Sequence, residues 1–268
     1  MPNPKQIEIV VVTYHNDFDL LERLLQSIYM YWKKTEVSKI HVILNDTVAY
    51  TKEFNQVIKR NSHLDFSINK IYGYEYLDLK IKYFNWNTQQ MFKILSGKYV
   101  NTDWYVINDC KDYYCKSVSI SDIFDKDGKA TIQMKHPAIT SRPMPPHEQI
   151  SWSPGPFLPA LINSFELFDL DPMDHRHCHF PTGTPFIVKT QIMNDMVSYL
   201  RNTTKGFFPF LFSAYVDGQY LLTEFLTYGA YCYKTTRYHD YVNWDSNHRA
   251  FYNKVKQSKD LRRVVSDV

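Results

Sequence analysis

Two hydrophobic periods alternate along the chain. Residues 7–13 (IEIVVVT) are almost wholly β-branched, the pattern of a central parallel strand buried on both faces. The strand gives way to the polar run Thr13-Tyr14-His15-Asn16-Asp17. Leu20, Leu24, Ile28 and Trp32 then recur every four residues, with Leu21, Leu25 and Tyr29 beside them. That spacing predicts a helix capped by Asn16 or Asp17, with Asp19 in the first turn where the helix dipole favours a carboxylate. Residues 40–44 predict a second strand ending at Asn45-Asp46, Phe54, Val57 and Ile58 a second helix, and residues 66–72 a third strand. Strand, helix, strand, helix, strand is the opening of a doubly wound α/β sheet.

Residues 87–97 predict a further helix. Asn87 and Gln90 have capping-box spacing, Met91, Phe92 and Leu95 form an apolar stripe, Gly97 is a stop, and Gln89, Gln90 and Lys93 decorate the surface. Residues 103–112 (DWYVINDCKD) follow. This apolar, aromatic run turns abruptly into charge, as a buried strand does where it emerges at the ligand-binding edge of an open α/β sheet. Residues 131–136 predict another strand. Residues 137–159 hold seven prolines, too many for a helix interior or a central strand, and read as a long ordered loop or lid carrying His147 and Trp152. Residues 157–168 predict a helix, 174–179 a polar loop, and 182–188 a turn feeding a strand. Residues 191–200 and 219–228 predict helices, the second turning Leu221, Leu222, Phe225 and Leu226 inward and stopping at Gly229. A last strand is expected at 231–236. No repeat or linker divides the chain, so the reading is one domain over residues 1–248, with the proline-rich loop at 137–159, followed by a basic C-terminal tail at 249–268.

Composition narrows the classes. With 268 residues, 44% hydrophobic and 22% charged, the chain affords the core of one large domain. A net charge of +3 is too small to argue for nucleic acid, and none is expected. Cys110, Cys115, Cys178 and Cys232 show no C-x-x-C spacing and read as reduced thiols. Residues 1–6 are short and polar, so no signal peptide is expected, and the longest apolar runs fall far below the roughly 20 residues that span a bilayer. The expected location is cytoplasmic, so the sequons at Asn45 and Asn202 are chance matches. The tail reads either as solvated or as a weak hold on anionic lipid at the inner face of the membrane. No G-x-G-x-x-G or Walker-type glycine loop appears, which excludes the ordinary dinucleotide and P-loop sites.

Polar clusters stand where predicted elements end: residues 13–17, Asn45-Asp46, residues 109–112, and Thr223-Glu224. Parallel packing brings the first three to one edge of the sheet. This pattern resembles the GT-A class of nucleotide-sugar glycosyltransferases, in which the first strand ends near the nucleotide base and a later strand ends in an Asp-x-Asp that holds a metal on the diphosphate. The ordered set Gln89-Gln90-x-x-Lys93, Asp109-Cys110-Lys111-Asp112, Thr182-Gly183-Thr184-Pro185 and Thr223-Glu224-Phe225-Leu226-Thr227-Tyr228-Gly229 is similar, more closely, to a little-characterised glycosyltransferase-like family of unknown function from bacterial surface-polysaccharide settings.

The resemblance implies an α/β, GT-A-like (Rossmann-like), mostly parallel sheet flanked by helices. It implies transfer of a sugar from a nucleotide-diphosphate sugar, the co-substrate, to a glycan or lipid-linked acceptor. Thr13, Tyr14, Asp17, Asn45, Asp46, Gln90, Lys93 and Asp112 fall on the donor side; Thr184, Tyr228, Trp152 and His179 fall on the sugar or acceptor side. Glu224 is the expected base, ahead of Asp112 and Asp46, and Asp109 and Lys111 stand at the diphosphate. Asp109 is the one candidate ligand for Mg²⁺ or Mn²⁺, and a divalent cation is doubtful because Lys111 replaces the second acid of Asp-x-Asp. An ammonium at about 4 Å from an anion, at an effective dielectric near 20, is worth roughly 4 kcal/mol, enough to matter in a transition state, and Lys111 is expected to substitute for or assist the metal. Trp152 is a sugar-stacking ring or a core anchor. His175, His177, Cys178 and His179 have no known zinc spacing and read as a polar loop, an acceptor-facing loop or a structural zinc site. Two rivals stay open: a nucleotidyltransferase on a similar sheet, and a catalytically inactive carbohydrate- or nucleotide-binding protein.

Overall fold

The computed structural model describes residues 3–76, 84–132, 157–172, 180, 183–203, 215–216, 219–220, 222–243 and 252–254. The strands are β1 (Ile7–Thr13), β2 (Val37–Leu44), β3 (Ile68–Tyr72), β4 (Trp104–Asp109), β5 (Asp112–Tyr114), β6 (Ala130–Ile132), β7 (Phe186–Lys189), β8 (Tyr215–Val216), β9 (Gln219–Tyr220), β10 (Tyr241–Asn243) and β11 (Tyr252–Lys254). The helices are α1 (Phe18–Tyr31), α2 (Thr51–Arg60), α3 (Gly73–Tyr76), α4 (Trp86–Leu95), α5 (Ile120–Ile123), α6 (Leu158–Glu166), α7 (Thr190–Thr203) and α8 (Glu224–Lys234).

The main sheet has the order β3-β2-β1-β4-β7. Its first four strands are parallel and β7 runs antiparallel at the edge. This is the expected α/β, Rossmann-like, mostly parallel sheet flanked by helices in a single domain. Every residue of β1 is buried, because strands lie on both sides of it and helices cover both faces. The one charge in that run, Glu8, is matched within the sheet: its Oε2 lies 2.6 Å from His41 Nε2 on β2. From β1 the chain winds outward to β2 and β3, then returns to the other side of β1 as β4. The order therefore reverses between β1 and β4, and a crevice opens beyond their C-terminal ends.

Several local expectations need correction. The helix predicted at 87–97 starts earlier, at Trp86. Its capping box is Asn85 with Thr88, not Asn87 with Gln90: Asn85 Oδ1 accepts from Thr88 N at 3.2 Å and Asn85 N donates to Thr88 Oγ1 at 2.8 Å. Asp17 sits at the N-cap of α1 without a side-chain cap bond. The segment predicted as a helix at 219–228 begins with β9 and is helical only from Glu224, where α8 starts, and the predicted strand at 231–236 belongs largely to α8. Thr223 sets that start, its Oγ1 accepting from Leu226 N at 3.2 Å. Gly229 is not a stop but lies within α8, where a Cβ would stand 3.0–3.2 Å from Phe180. Part of the expected tail returns to the fold, since β11 pairs antiparallel with β5. The strand expected at 131–136 is present as β6 up to Ile132; the rest of it, His147, Trp152 and most of the proline-rich loop, the polar loop with His175, His177, Cys178 and His179, and most of the tail lie outside the described residues. Cys110, Cys115 and Cys232 are free thiols. No helix among the described residues is long and apolar enough to cross a membrane.

Candidate functional site

The crevice at the β1–β4 switch point is a cleft of about 470 Å³, within the range of small-molecule sites. Its floor comes from the residues that follow β1, β2 and β4. Its walls are α4, the residue before α6, and the first turn of α8.

At its centre is a buried ammonium. Lys93, on α4, has a side chain only 4% exposed, and its Nζ lies 2.8 Å from Asp109 Oδ1 and 2.9 Å from Glu224 Oε1. Its Nζ also lies 5.4 Å from the centre of the Phe225 ring, which stacks on Phe186 at 4.0 Å. Asp109 ends β4 and keeps 31% of its side chain exposed toward the cleft, whereas Glu224 opens α8 and keeps 5%. With its amide nitrogen turned toward Glu224, Gln90 donates to both carboxylate oxygens. One turn of α4 thus carries two donors for the same acid. Burial alone would lower the pKa of Lys93; Asp109 and Glu224 reverse that and raise it, so the ammonium is kept charged. Glu224 titrates above its ordinary value, chiefly because it is desolvated; Lys93 opposes that rise and the Asp109 charge adds to it. Two carboxylates sharing one cation leave Glu224 ready to take a proton.

The β1 side is aromatic and acidic. Tyr14 is 38% exposed. The His15 ring stacks on Tyr50 at 4.0 Å, nearly parallel, and His15 Nδ1 lies 2.6 Å from Asp46 Oδ2, which also accepts from His15 N at 3.0 Å. Asp17 is half-buried, and its pKa is raised by burial and by Asp109, with Lys111 pulling the other way. Lys111 itself is exposed on the cleft lining.

Of the residues singled out in the sequence, the structure brings Tyr14, Asp17, Asn45, Asp46, Gln90, Lys93, Asp109, Lys111 and Glu224 to this one cleft. Asn45 is committed to the scaffold as well: its Nδ2 donates to Asn85 O at 3.0 Å and its Oδ1 accepts from Thr88 Oγ1 at 2.7 Å, tying the end of β2 to the start of α4. Four residues fall elsewhere. Thr13 is buried beneath the β1 end. Asp112 is buried and its Oδ2 accepts from Asp109 N at 3.2 Å, so it shapes the β4–β5 turn. Thr184 is buried just before β7. Tyr228 is fully buried, its hydroxyl 2.5 Å from that of Tyr241 and accepting from Lys189 N at 3.0 Å; a ring held in the core has no face for an acceptor. Trp152 and His179 lie outside the described residues. His15, Trp86 and Phe157 also line the cleft, with no role assigned to them from sequence. Of these, His15 stood within a marked polar cluster, while Trp86 and Phe157 carry no signal beyond being aromatic at the edge of a helix.

The model of a family of unknown function, DUF6492, matches residues 5–259. No curated protein matches the chain. Among solved structures it is similar to S. aureus TarS, at 15% identity over 97% of this chain and 38% of that one, with a TM-score of 0.45. It is also similar to S. aureus TarS 1–349 in complex with UDP, at 13% identity over 97% of this chain and 63% of that one, with a TM-score of 0.46. The chain spans less than two thirds of either.

Proposed function

The chain belongs to DUF6492, a family of unknown function, and from its cleft we propose that it moves a sugar from a nucleotide-diphosphate sugar to a hydroxyl of a glycan or lipid-linked acceptor, in surface polysaccharide biosynthesis. The observation that carries this is convergence. Tyr14 and Asp17, then Asp46, then Asp109 and Lys111, then Glu224 come from four stretches far apart in the chain and line one cleft.

The roles follow from position. Tyr14, His15 and Asp46 offer a ring face and polar atoms to a nucleobase and ribose. Lys111 is the ammonium open to a diphosphate, and Asp109 lies beside it on the β4 end. Glu224 accepts the proton of the acceptor hydroxyl as that oxygen attacks the anomeric carbon. The bond from that carbon to the diphosphate breaks, and the nucleoside diphosphate departs with the electron pair. Gln90 and Lys93 hold Glu224 in one orientation, which a base needs more than it needs exposure. We assign this activity to the domain over residues 1–248 together with β11, working in the cytoplasm at or near the inner face of the membrane.

A thermal-shift screen against nucleoside diphosphates and their sugars tests the reading. A donor at 100 times its dissociation constant stabilises the fold by about 2.7 kcal/mol. Release of nucleoside diphosphate from the stabilising sugar, without acceptor, then separates an enzyme from a binding protein. No stabilisation by any member of the panel contradicts the proposal.

A further inference from the structure

In the class this chain resembles, a divalent cation held by two carboxylates neutralises the leaving diphosphate. The residues present do not fit that ion. Mg²⁺ and Mn²⁺ take oxygen donors, commonly six. Here Asp109 is already engaged, its Oδ1 2.8 Å from Lys93 Nζ, and position 111 presents an ammonium that repels a dication. Among the described residues no set of three or more His, Cys, Asp and Glu side chains gathers to hold a metal.

We infer that Lys93 is the resident cation of the site: clamped between Asp109 and Glu224, it positions both carboxylates and, with Lys111, supplies the positive charge of the transfer without a divalent ion. This rests on the sugar-transfer reading and extends it. Lys93 is suited to the place because α4 delivers it fully buried and its two partners come from different elements, the end of β4 and the first turn of α8. Both partners line the cleft, Asp109 with 31% of its side chain exposed and Glu224 with 5%, so the ammonium links the diphosphate side to the base side. The charge bookkeeping agrees. When Glu224 takes the acceptor proton it becomes neutral, and Lys93 loses one anionic partner at the moment the departing diphosphate gains charge. The groups facing Glu224 are Lys93 and Gln90 from α4 and Asp109 from β4, together with the helix N-terminus of α8 itself.

The test compares wild type, Lys93→Arg and Lys93→Met, each in EDTA and in Mn²⁺, by calorimetric binding of a nucleoside diphosphate and by nucleotide-sugar turnover. Wild-type affinity and kcat are expected to agree within about twofold between EDTA and Mn²⁺. Lys93→Met is expected to lose at least about 100-fold in kcat, with no rescue by Mn²⁺, while Lys93→Arg keeps part of the rate. A further readout is the titration of Glu224, followed by carboxyl NMR in wild type and Lys93→Arg, with the Lys93→Met protein added where it folds. Its midpoint is expected to rise when the ammonium is removed and to stay close to wild type with Arg. Loss of wild-type turnover in EDTA restored by Mn²⁺ overturns the assignment, as does a Glu224 titration indifferent to Lys93. Should wild type bind no nucleotide under either condition, the sugar-transfer reading falls, and the NMR titration still decides whether Lys93 governs Glu224.

Discussion

At the scale of single residues the chemistry rests on Lys93, Asp109 and Glu224. Removing one partner of a buried ion pair leaves an uncompensated charge, so Lys93→Met is expected to cost about 3–5 kcal/mol, read as a lower urea midpoint. The double substitution Lys93→Met with Glu224→Gln is expected to recover part of that loss, because it removes one of the stranded carboxylates. Glu224 also sets a pH dependence. Its folded pKa is raised above the ordinary 4.5, so between that value and the folded one the folded chain holds a proton that the unfolded chain has released. Stability therefore falls as pH rises through this window, while kcat rises as the base loses its proton. Glu224→Gln flattens the stability slope in the same window. The acids were legible in the sequence because each stands where an apolar run stops. Periodicity showed Lys93 only as helix decoration and the family resemblance placed it on the donor side; its pairing with Glu224, 131 positions away, is reported by no local pattern.

Elements were legible where periodicity was long and were misjudged where a cap or a tertiary contact decided the boundary. β1 announces itself by burial along its whole length, α1 by the buried stripe Leu20, Leu24 and Ile28, and β2 by its buried residues 40–44. The start of α4 is set instead by Asn85, whose carbonyl accepts from Asn45 Nδ2 just after β2. Asn85→Ala is expected to lose about 1 kcal/mol of stability, measured by denaturant midpoint. In α8, Gly229 looks like a stop by sequence and lies in the helix interior. It is interior because Phe180, itself packed against Phe186, Tyr228 and Tyr241, fills the space a side chain would need. In Gly229→Ala the gain in helix propensity, about 1 kcal/mol, opposes an overpacking cost of about 1–3 kcal/mol. Because Phe180 is hemmed in by three rings, overpacking wins, and the variant is expected to melt earlier than wild type.

Across the whole molecule, the sheet places the site. The reversal of strand order between β1 and β4 opens the cleft; the alternation of strand and helix in residues 7–72 announces the first three strands, and the return of β4 to the far side of β1 completes the switch point. What the alternation leaves out is the contribution of the second half: the antiparallel β7, the swing of α8 over the cleft, and the return of β11 to pair with β5. These depend on contacts between distant segments rather than on local pattern, as does the sinking of Tyr228 into the core. The central claim is that this cleft transfers sugar with Glu224 as base, and release of nucleoside diphosphate by wild type and by Glu224→Gln, over a panel of nucleotide sugars, tests it most directly. The account predicts that wild type binds and turns over at least one donor, and that Glu224→Gln binds the same donor with similar affinity while losing about 100-fold or more in kcat. Turnover by Glu224→Gln at the wild-type rate would contradict it.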